Sequence, residues 1–199
     1  MTTPAFLGPA GRAPLVGRGR EQAVIAERLC TLLRGPAGVI MLAGEPGIGK
    51  TRLLDEAAAE AASLGVTVLR GGASEAEGMP PYLPFLEALG RYIRSAPPQR
   101  LQHEAGPWTG ILASILPELA LRLGDLPATP PLPAEQARLR LFEAVAEFLA
   151  AIAEQSPLLL VLDDLQWADR AGLELLSHVA RVLNGTRIAV LGAYRAGEL

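Results

Sequence analysis

The stretch Gly44–Thr51 reads GEPGIGKT, and it decides the fold. It matches the pattern G-x-x-x-x-G-K-[ST] at every fixed position, which is typical of a loop whose backbone N–H groups surround phosphates. Its Lys50 is the only lysine of the chain, although Lys and Arg together number 18. A lysine carries a compact charge on a flexible stem that can reach the β- and γ-phosphates of a nucleotide, whereas an arginine is a planar fork. The alternative interpretation is a Gly-Pro turn that only precedes a helix.

The segments on both sides of this loop alternate between strand and helix patterns. Short apolar runs predict four strands, at residues 39–43, 66–70, 158–162 and 187–193. The first run has the composition of a strand buried on both faces, and the second is predicted to stop at Gly71 and Gly72. Helical spacing of apolar residues predicts helices over 20–34, 50–63, 134–155 and from Asp169, a predicted N-cap, to a stop at Asn184. The alternation predicts an α/β fold whose parallel sheet, of at least four strands flanked by helices, binds ligands at the carboxyl ends of the strands.

The segments outside this alternation are rich in proline and glycine. Residues 1–14 predict a flexible N-terminal lead-in, so that a single domain spans residues 15–199. A proline-rich helical insertion is predicted at about 75–133, with helices near 84–95 and 109–123 and an extended loop at 126–133. The central third of the chain is therefore predicted to contain short helices and no strand.

The overall composition excludes several classes of protein. A formal net charge of -3 provides no basic surface for nucleic acid, so we expect no direct nucleic acid binding by this segment. Cys30 is the single cysteine and can form neither an internal disulfide nor a multi-cysteine metal site. No apolar run approaches the length of a transmembrane helix, and no secretory signal starts the chain. These features predict a cytoplasmic protein with no membrane partner.

Two acids follow the third apolar run directly. Asp163 is predicted to hold a magnesium ion together with the hydroxyl of Thr51, either directly or through water. Asp164 is predicted to orient and deprotonate the attacking water, because neighbouring strand residues point to opposite faces and the two acids would do different work. The alternatives are a capping or ion-pair role for Asp163 and an indirect, supporting role for Asp164.

Arginine and loop residues complete the candidate site. Arg195 follows the last apolar run and could read a γ-phosphate, distinguishing ATP from ADP, unless it is simply a solvated arginine. Arg52 lies near enough to the phosphates to act electrostatically. The residues expected to contact the nucleotide are Gly44, Glu45, Pro46, Gly47, Ile48, Gly49, Lys50, Thr51 and Arg52.

Six segments together carry a resemblance to a known family. The segments are LVGRGREQ, LAGEPGIGKTRLL, PYLPFLEAL, RLFEAVAEFL, PLLLVLDDLQWAD and IAVLGAYR, in this order and spacing. They resemble the AAA/STAND-type P-loop ATPase module of large signal-transduction ATPases. Such a module stands at the N-terminus of LuxR-family large ATP-binding transcriptional regulators and in bacterial cyclase and kinase signalling proteins. DDLQWAD after an apolar strand is the most specific of these segments.

The resemblance implies roles for particular residues and a strand order. It implies that Val16, Gly17 and Arg18 lie by the adenine and that ATP and Mg²⁺ are the cofactors, with Arg195 as γ-phosphate sensor. The implied strand order is 5-1-4-3-2, with the fifth strand missing from this chain, so that the first strand becomes an exposed edge. We therefore expect either a C-terminally truncated product or one domain of a longer protein that carries the lid, repeat and output domains.

The predicted function is an ATP-binding, slowly hydrolysing nucleotide switch of a multidomain signalling or transcriptional regulator. Fast ATPases of the wider class have a glutamate where this chain has the shorter Asp164, which implies weak ATPase activity. The resemblance also implies nucleotide-dependent self-association. The alternatives are a P-loop small-molecule kinase and a nucleotide-binding fragment that does not hydrolyse ATP.

Overall fold

The computed structural model describes residues 17–76, 78–124, 126, 131–182 and 185–198, and contains one four-stranded parallel sheet. The strands are β1 (Gly38–Gly44), β2 (Thr67–Gly72), β3 (Leu158–Asp163) and β4 (Ile188–Arg195). Their order across the sheet is β1-β4-β3-β2, and every neighbouring pair is parallel. The predicted α/β class and the predicted order of the first four strands are confirmed.

Eight α-helices cover the two faces of the sheet in the described part of the chain. They are α1 (Gly19–Arg34), α2 (Lys50–Ser63), α3 (Leu83–Ser95), α4 (Pro98–Ala105), α5 (Thr109–Ala113), α6 (Pro117–Leu123), α7 (Ala134–Gln155) and α8 (Arg170–Val182). Helices α1 and α2 pack on one face, and the others contribute to the larger core on the opposite face. None of the described helices is long and apolar enough to cross a membrane.

Strand β3 joins the two cores. Its residues are all buried, and they alternate between the faces. Leu158, Leu160 and Leu162 pack into the larger core, whereas Leu159 and Val161 pack against α1 and α2. Because β3 is enclosed on both faces and paired on both edges, it delivers Asp163 to the carboxyl edge of the sheet in a fixed position.

Strand β1 is less buried than its apolar sequence predicts. The prediction of a strand buried on both faces is wrong for the described chain, since Val39 and Met41 are 43% and 37% exposed. The reason is its place in the sheet, where only β4 pairs with it. The edge position itself agrees with the predicted order, in which β1 has one neighbour fewer.

The end of β2 also differs from the prediction. Gly71 and Gly72 do not stop the strand but form its last two residues, paired with Leu162 and Asp163. A Cβ atom at Gly71 would lie 1.9 Å from the carbonyl oxygen of Pro84, which is impossible without moving the backbone of α3. Glycine therefore serves here as the surface on which α3 packs, not as a strand breaker.

The proline-rich region contains more helices than predicted. A helix near 84–95 is confirmed as α3, but the helix predicted over 109–123 is divided into α5 and α6, and α4 was missed. The division occurs before Pro117, because a proline disfavours helical backbone at the preceding residue, and Leu116 has ψ of 75°. The predicted lead-in at 1–14, most of the loop at 126–133 and the stop at Asn184 lie outside the described residues.

Candidate functional site

The phosphate loop connects β1 to α2 through two glycines in left-handed conformation. Gly47 has φ of 73° and Gly49, the residue before α2, has φ of 95°. Any other residue would be strained at these angles, which explains why the loop requires glycine at both positions. The loop brings the first N–H groups of the 14-residue helix α2 to the sheet edge, where they and the helix dipole favour an anion.

Lys50 folds back over its own loop. Its ammonium donates hydrogen bonds to the carbonyl oxygens of Gly44, at 2.7 Å, and of Glu45, at 3.0 Å. Phosphate oxygens are charged acceptors and form stronger hydrogen bonds than these neutral carbonyls. The ammonium is thus held at the loop, with weaker partners that a bound phosphate could replace.

A cleft of about 520 Å³ opens above the loop. It is within the size range of small-molecule sites. Seven residues of the loop and α2 line it, together with one residue after β3 and one at the end of β4: Pro46, Gly47, Gly49, Lys50, Thr51, Arg52, Asp55, Asp164 and Arg195. The fold thus brings three segments that are distant in sequence to one cavity at the carboxyl edge of the sheet.

Asp164 has an unusual backbone conformation for a residue with a side chain. Its φ of 52° and ψ of 39° lie in the left-handed helical region, which costs about 1–2 kcal/mol for a non-glycine residue. The carboxylate of Asp163 accepts a hydrogen bond from the Asp164 N–H at 2.9 Å and stabilises this turn. The two acids do have different surroundings, but the left-handed turn separates them, because β3 already ends at Asp163.

Asp163 is only 8% exposed, and it is paired with an arginine that the sequence analysis did not consider. The guanidinium of Arg70, on β2, lies 3.9 Å from the Asp163 carboxylate and also forms an ion pair with Asp55 on α2. Asp55 follows Thr51 by one helical turn and lines the cleft. An ion-pair role for Asp163 is therefore present, beside the carboxylate oxygen that faces the Asp164 N–H.

Arg195 is fixed from two sides by the 3₁₀ turn Leu165–Trp167, which follows Asp164. The side-chain oxygen of Gln166 accepts a hydrogen bond from the Arg195 N–H at 3.1 Å, and its NH₂ group donates to the Asp164 carboxylate at 2.9 Å. The Arg195 guanidinium lies 5.2 Å from the centre of the Trp167 ring, within cation–π distance. Arg195 is therefore an ordered part of the cleft wall.

The remaining residues of the predicted site lie around the loop. One guanidinium nitrogen of Arg18 donates to the carbonyl oxygen of Ile48 at 3.0 Å, so the Gly17–Arg18 segment before α1 lies beside the phosphate loop. Arg52 lines the cleft and pairs with Glu56 at 3.4 Å. Val16 lies outside the described residues, and the adenine contacts stay a prediction.

The side chains near the cleft suit magnesium when it arrives with a nucleotide. Thr51 offers a hydroxyl oxygen and Asp163 a carboxylate oxygen, which are hard ligands of the kind that Mg²⁺ prefers. Across the described residues, no group of three His, Cys, Asp or Glu could hold a metal by itself. This fits an ion held by one or two protein oxygens and by the phosphates, which is how Mg²⁺ is bound in nucleotide sites.

Asp55, Arg70, Gln166 and Trp167 are the members of this site that sequence reasoning missed. Two signals could have found them. Asp55 lies one helical turn after Thr51, on the same side of α2, and Arg70 lies near the carboxyl end of its strand, where ligand-binding residues of parallel sheets collect.

One protein family, described as the AAA ATPase domain, has a model that matches residues 14–191. The matched range includes the phosphate loop and the Asp163–Asp164 pair, and it ends four residues before Arg195. No curated protein matches the chain.

Proposed function

The chain belongs to the AAA ATPase domain family and is a nucleotide-binding P-loop ATPase module; from that premise we propose that it is an ATP switch with slow hydrolysis. The observation that carries the proposal is the cleft in which the phosphate loop, Asp164 and Arg195 meet. These are the three groups that a switch needs, since it must hold the phosphates, cleave the terminal one and sense its presence.

Binding rests on the loop and the start of α2. The N–H groups after Gly47 and Gly49 receive the phosphate oxygens, and the Lys50 ammonium exchanges its two carbonyl partners for the β- and γ-phosphates. Thr51 and Asp163 would hold Mg²⁺, which when bound neutralises the charge of the β- and γ-phosphates. Arg52 and Arg195 add positive charge to the walls of the cleft.

Hydrolysis rests on Asp164. Its carboxylate lines the cleft and is oriented by the NH₂ group of Gln166, so it can accept a proton from a water that attacks the γ-phosphate. An aspartate is one methylene shorter than the glutamate of fast ATPases and leaves the water farther from its base. This accounts for the proposed slow turnover, which would keep the ATP-bound state long enough to transmit a signal.

Sensing rests on Arg195. The arginine stands at the end of β4 with its guanidinium on the Trp167 ring, from which it can reach a γ-phosphate that ADP lacks. The resemblance to LuxR-type regulators and bacterial cyclase and kinase signalling proteins supports a role in signal transduction or transcription regulation. In that role, the ATP-bound module would self-associate and act on an output domain of a longer protein.

Replacement of Asp164 by asparagine tests the hydrolysing switch. We expect Asp164→Asn to retain the affinity for MgATP within about twofold and to lose hydrolysis by about 100-fold, the contribution of a general base. Calorimetry gives the affinity and phosphate release gives the rate. The control is Glu27→Gln, which removes one carboxylate from the exposed surface of α1.

Two outcomes would contradict the proposal in different ways. Unchanged phosphate release by Asp164→Asn would show that another group activates the water. Binding of MgATP without any hydrolysis by the wild-type chain would leave a nucleotide-binding module that does not hydrolyse ATP, the alternative that the sequence left open.

A further inference from the structure

We propose that Gln166 is a positioning residue that couples Asp164 to Arg195, so that sensing the γ-phosphate and activating the water depend on one another. The proposal rests on the proposed function, which assigns those two tasks to Asp164 and Arg195. Its own basis is a bridge in which one side chain bonds both residues, at 2.9 Å and 3.1 Å. No other described side chain is hydrogen-bonded to both of them.

The two partners of Gln166 have opposite hydrogen-bonding character. The Asp164 carboxylate offers only acceptors when ionised, whereas the Arg195 N–H is only a donor. A side chain that bridges them must therefore carry a donor and an acceptor at its tip, which a primary amide does. The partners also fix the orientation of the amide, because its oxygen must face the Arg195 N–H and its nitrogen the carboxylate.

The length of the side chain matters as well. An asparagine would be one methylene shorter and could not reach both partners from the same backbone position. A glutamate has the right length and could still accept from the Arg195 N–H, but it would lose the donor and place a second negative charge beside Asp164. Glutamate would therefore keep one half of the bridge and break the other.

The backbone that carries Gln166 is firmly held. The turn Leu165–Trp167 is closed by hydrogen bonds from the Trp167 N–H to the Asp164 carbonyl oxygen at 2.9 Å and from the Ala168 N–H to the Leu165 carbonyl oxygen at 3.0 Å. Leu165 is buried against β4, where a Cβ atom at Gly192 would come within 2.9 Å of the leucine side chain. A rigid turn transmits displacement of one partner to the other instead of absorbing it.

The turn holds Arg195 at two points, since Gln166 bonds its backbone and Trp167 contacts its guanidinium. Movement of Arg195 toward a γ-phosphate must therefore pull on Gln166, and through it on the Asp164 carboxylate. The water-activating group is in this way placed according to whether ATP or ADP occupies the cleft. This also explains the chemical content of the LQW sequence that follows the two acids.

Two substitutions at this position separate the two halves of the bridge. Gln166→Met has similar length and neither donor nor acceptor, while Gln166→Glu keeps only the acceptor. The measurements are kcat for MgATP hydrolysis and, by calorimetry, the affinities for MgADP and a non-hydrolysable MgATP analogue. Gln102→Met, on the exposed surface of α4, is the matched control and should behave as wild type.

We expect Gln166→Met to lower kcat about tenfold and to reduce the ratio of analogue to ADP affinity about tenfold, the effect of losing a hydrogen bond to a charged or positioned group. We expect Gln166→Glu to lower kcat by a similar factor but to retain the wild-type affinity ratio. ADP affinity should change less than twofold in both variants, because the phosphate loop is untouched.

Three results would overturn the coupling. One is a Gln166→Met variant with wild-type kcat and affinity ratio. Another is an equal loss of affinity for both nucleotides in both variants, which would show that Gln166 only supports the packing of the turn. A wild-type chain that binds the analogue and ADP equally well would overturn the proposed switch together with the coupling, whereas the first two results leave the switch intact.

Discussion

Arg70 stands where the charge of the site changes on nucleotide binding, so its replacement has a state-dependent effect. In the free protein its guanidinium lies between Asp55 and Asp163, and Asp163 is almost fully buried. The substitution Arg70→Met keeps the length of the side chain and removes the charge. Both carboxylates then lose their arginine partner at the carboxyl edge of the sheet.

The expected cost follows from the geometry. Two unit charges 4 Å apart attract by about 4 kcal/mol at an effective dielectric constant of about 20, and desolvation of both groups offsets part of this. The Arg70 side chain is about a third exposed, so solvent screening reduces the net effect further. We expect a loss of about 2 kcal/mol in the free energy of unfolding, which lowers Tm by about 4–8 °C for a domain of this size.

Saturating MgATP should reduce this loss. With nucleotide bound, the cation at Thr51 and Asp163 supplies positive charge beside the carboxylates, so the variant regains what it lost with the guanidinium. Thermal melts of wild type and Arg70→Met, each alone, with MgATP and with ATP plus a chelator, measure the effect. The gain in Tm on adding MgATP should be several degrees larger in the variant than in the wild type.

Arg91→Met is the matched control for this experiment. Arg91 forms an exposed ion pair with Glu87 at 3.7 Å, one turn apart on α3, and such pairs contribute little. Its melts should match those of the wild type under all three conditions. Equal destabilisation of Arg70→Met with and without MgATP would refute the reasoning and leave Arg70 as a purely structural partner of the two acids.

Two further predictions concern stability. Asp169 accepts hydrogen bonds from the N–H groups of Ala171, at 3.1 Å, and Tyr82, at 2.9 Å, so Asp169→Ala should cost about 2–3 kcal/mol, the sum of a lost N-cap and an unsatisfied N–H; a loss below 1 kcal/mol in urea unfolding would contradict this. Tyr92 donates to the buried Glu104 carboxylate at 2.7 Å, and burial and this carboxylate raise the pKa of Tyr92. Tyr92→Phe should therefore cost about 1.5–3 kcal/mol, and wild-type unfolding in the same assay would show that Arg100 alone satisfies Glu104.

Much of the fold follows from local pattern. Strand β3 was predicted within one residue because five apolar residues in succession can only be buried on both faces, and α2 was predicted over its whole length because the loop fixes its start. The errors occur where tertiary packing decides. Gly71 belongs to a strand because α3 lies against it, and β1 is exposed because it is an edge, and neither fact is contained in the segment itself.

The candidate site was predictable to a different depth. The loop, Asp164 and Arg195 were placed together by the rule that ligands bind at the carboxyl ends of parallel strands, and the cleft contains all three. The left-handed turn at Asp164 and the bridge through Gln166 were not predictable, because they depend on the distance between β3 and β4 ends. The pairing of Asp163 with Arg70 likewise depends on the register between β2 and β3.

The central claim is that the cleft above the phosphate loop binds MgATP through Lys50. Calorimetric titration of MgATP into wild type and Lys50→Ala tests it most directly, with equal Tm values of the two free proteins as evidence that both are folded. Since Lys50 bonds only carbonyl oxygens of its own loop in the free protein, its removal should leave the fold intact. The account predicts binding to the wild type and no detectable binding to Lys50→Ala, and equal affinities of the two proteins would contradict it.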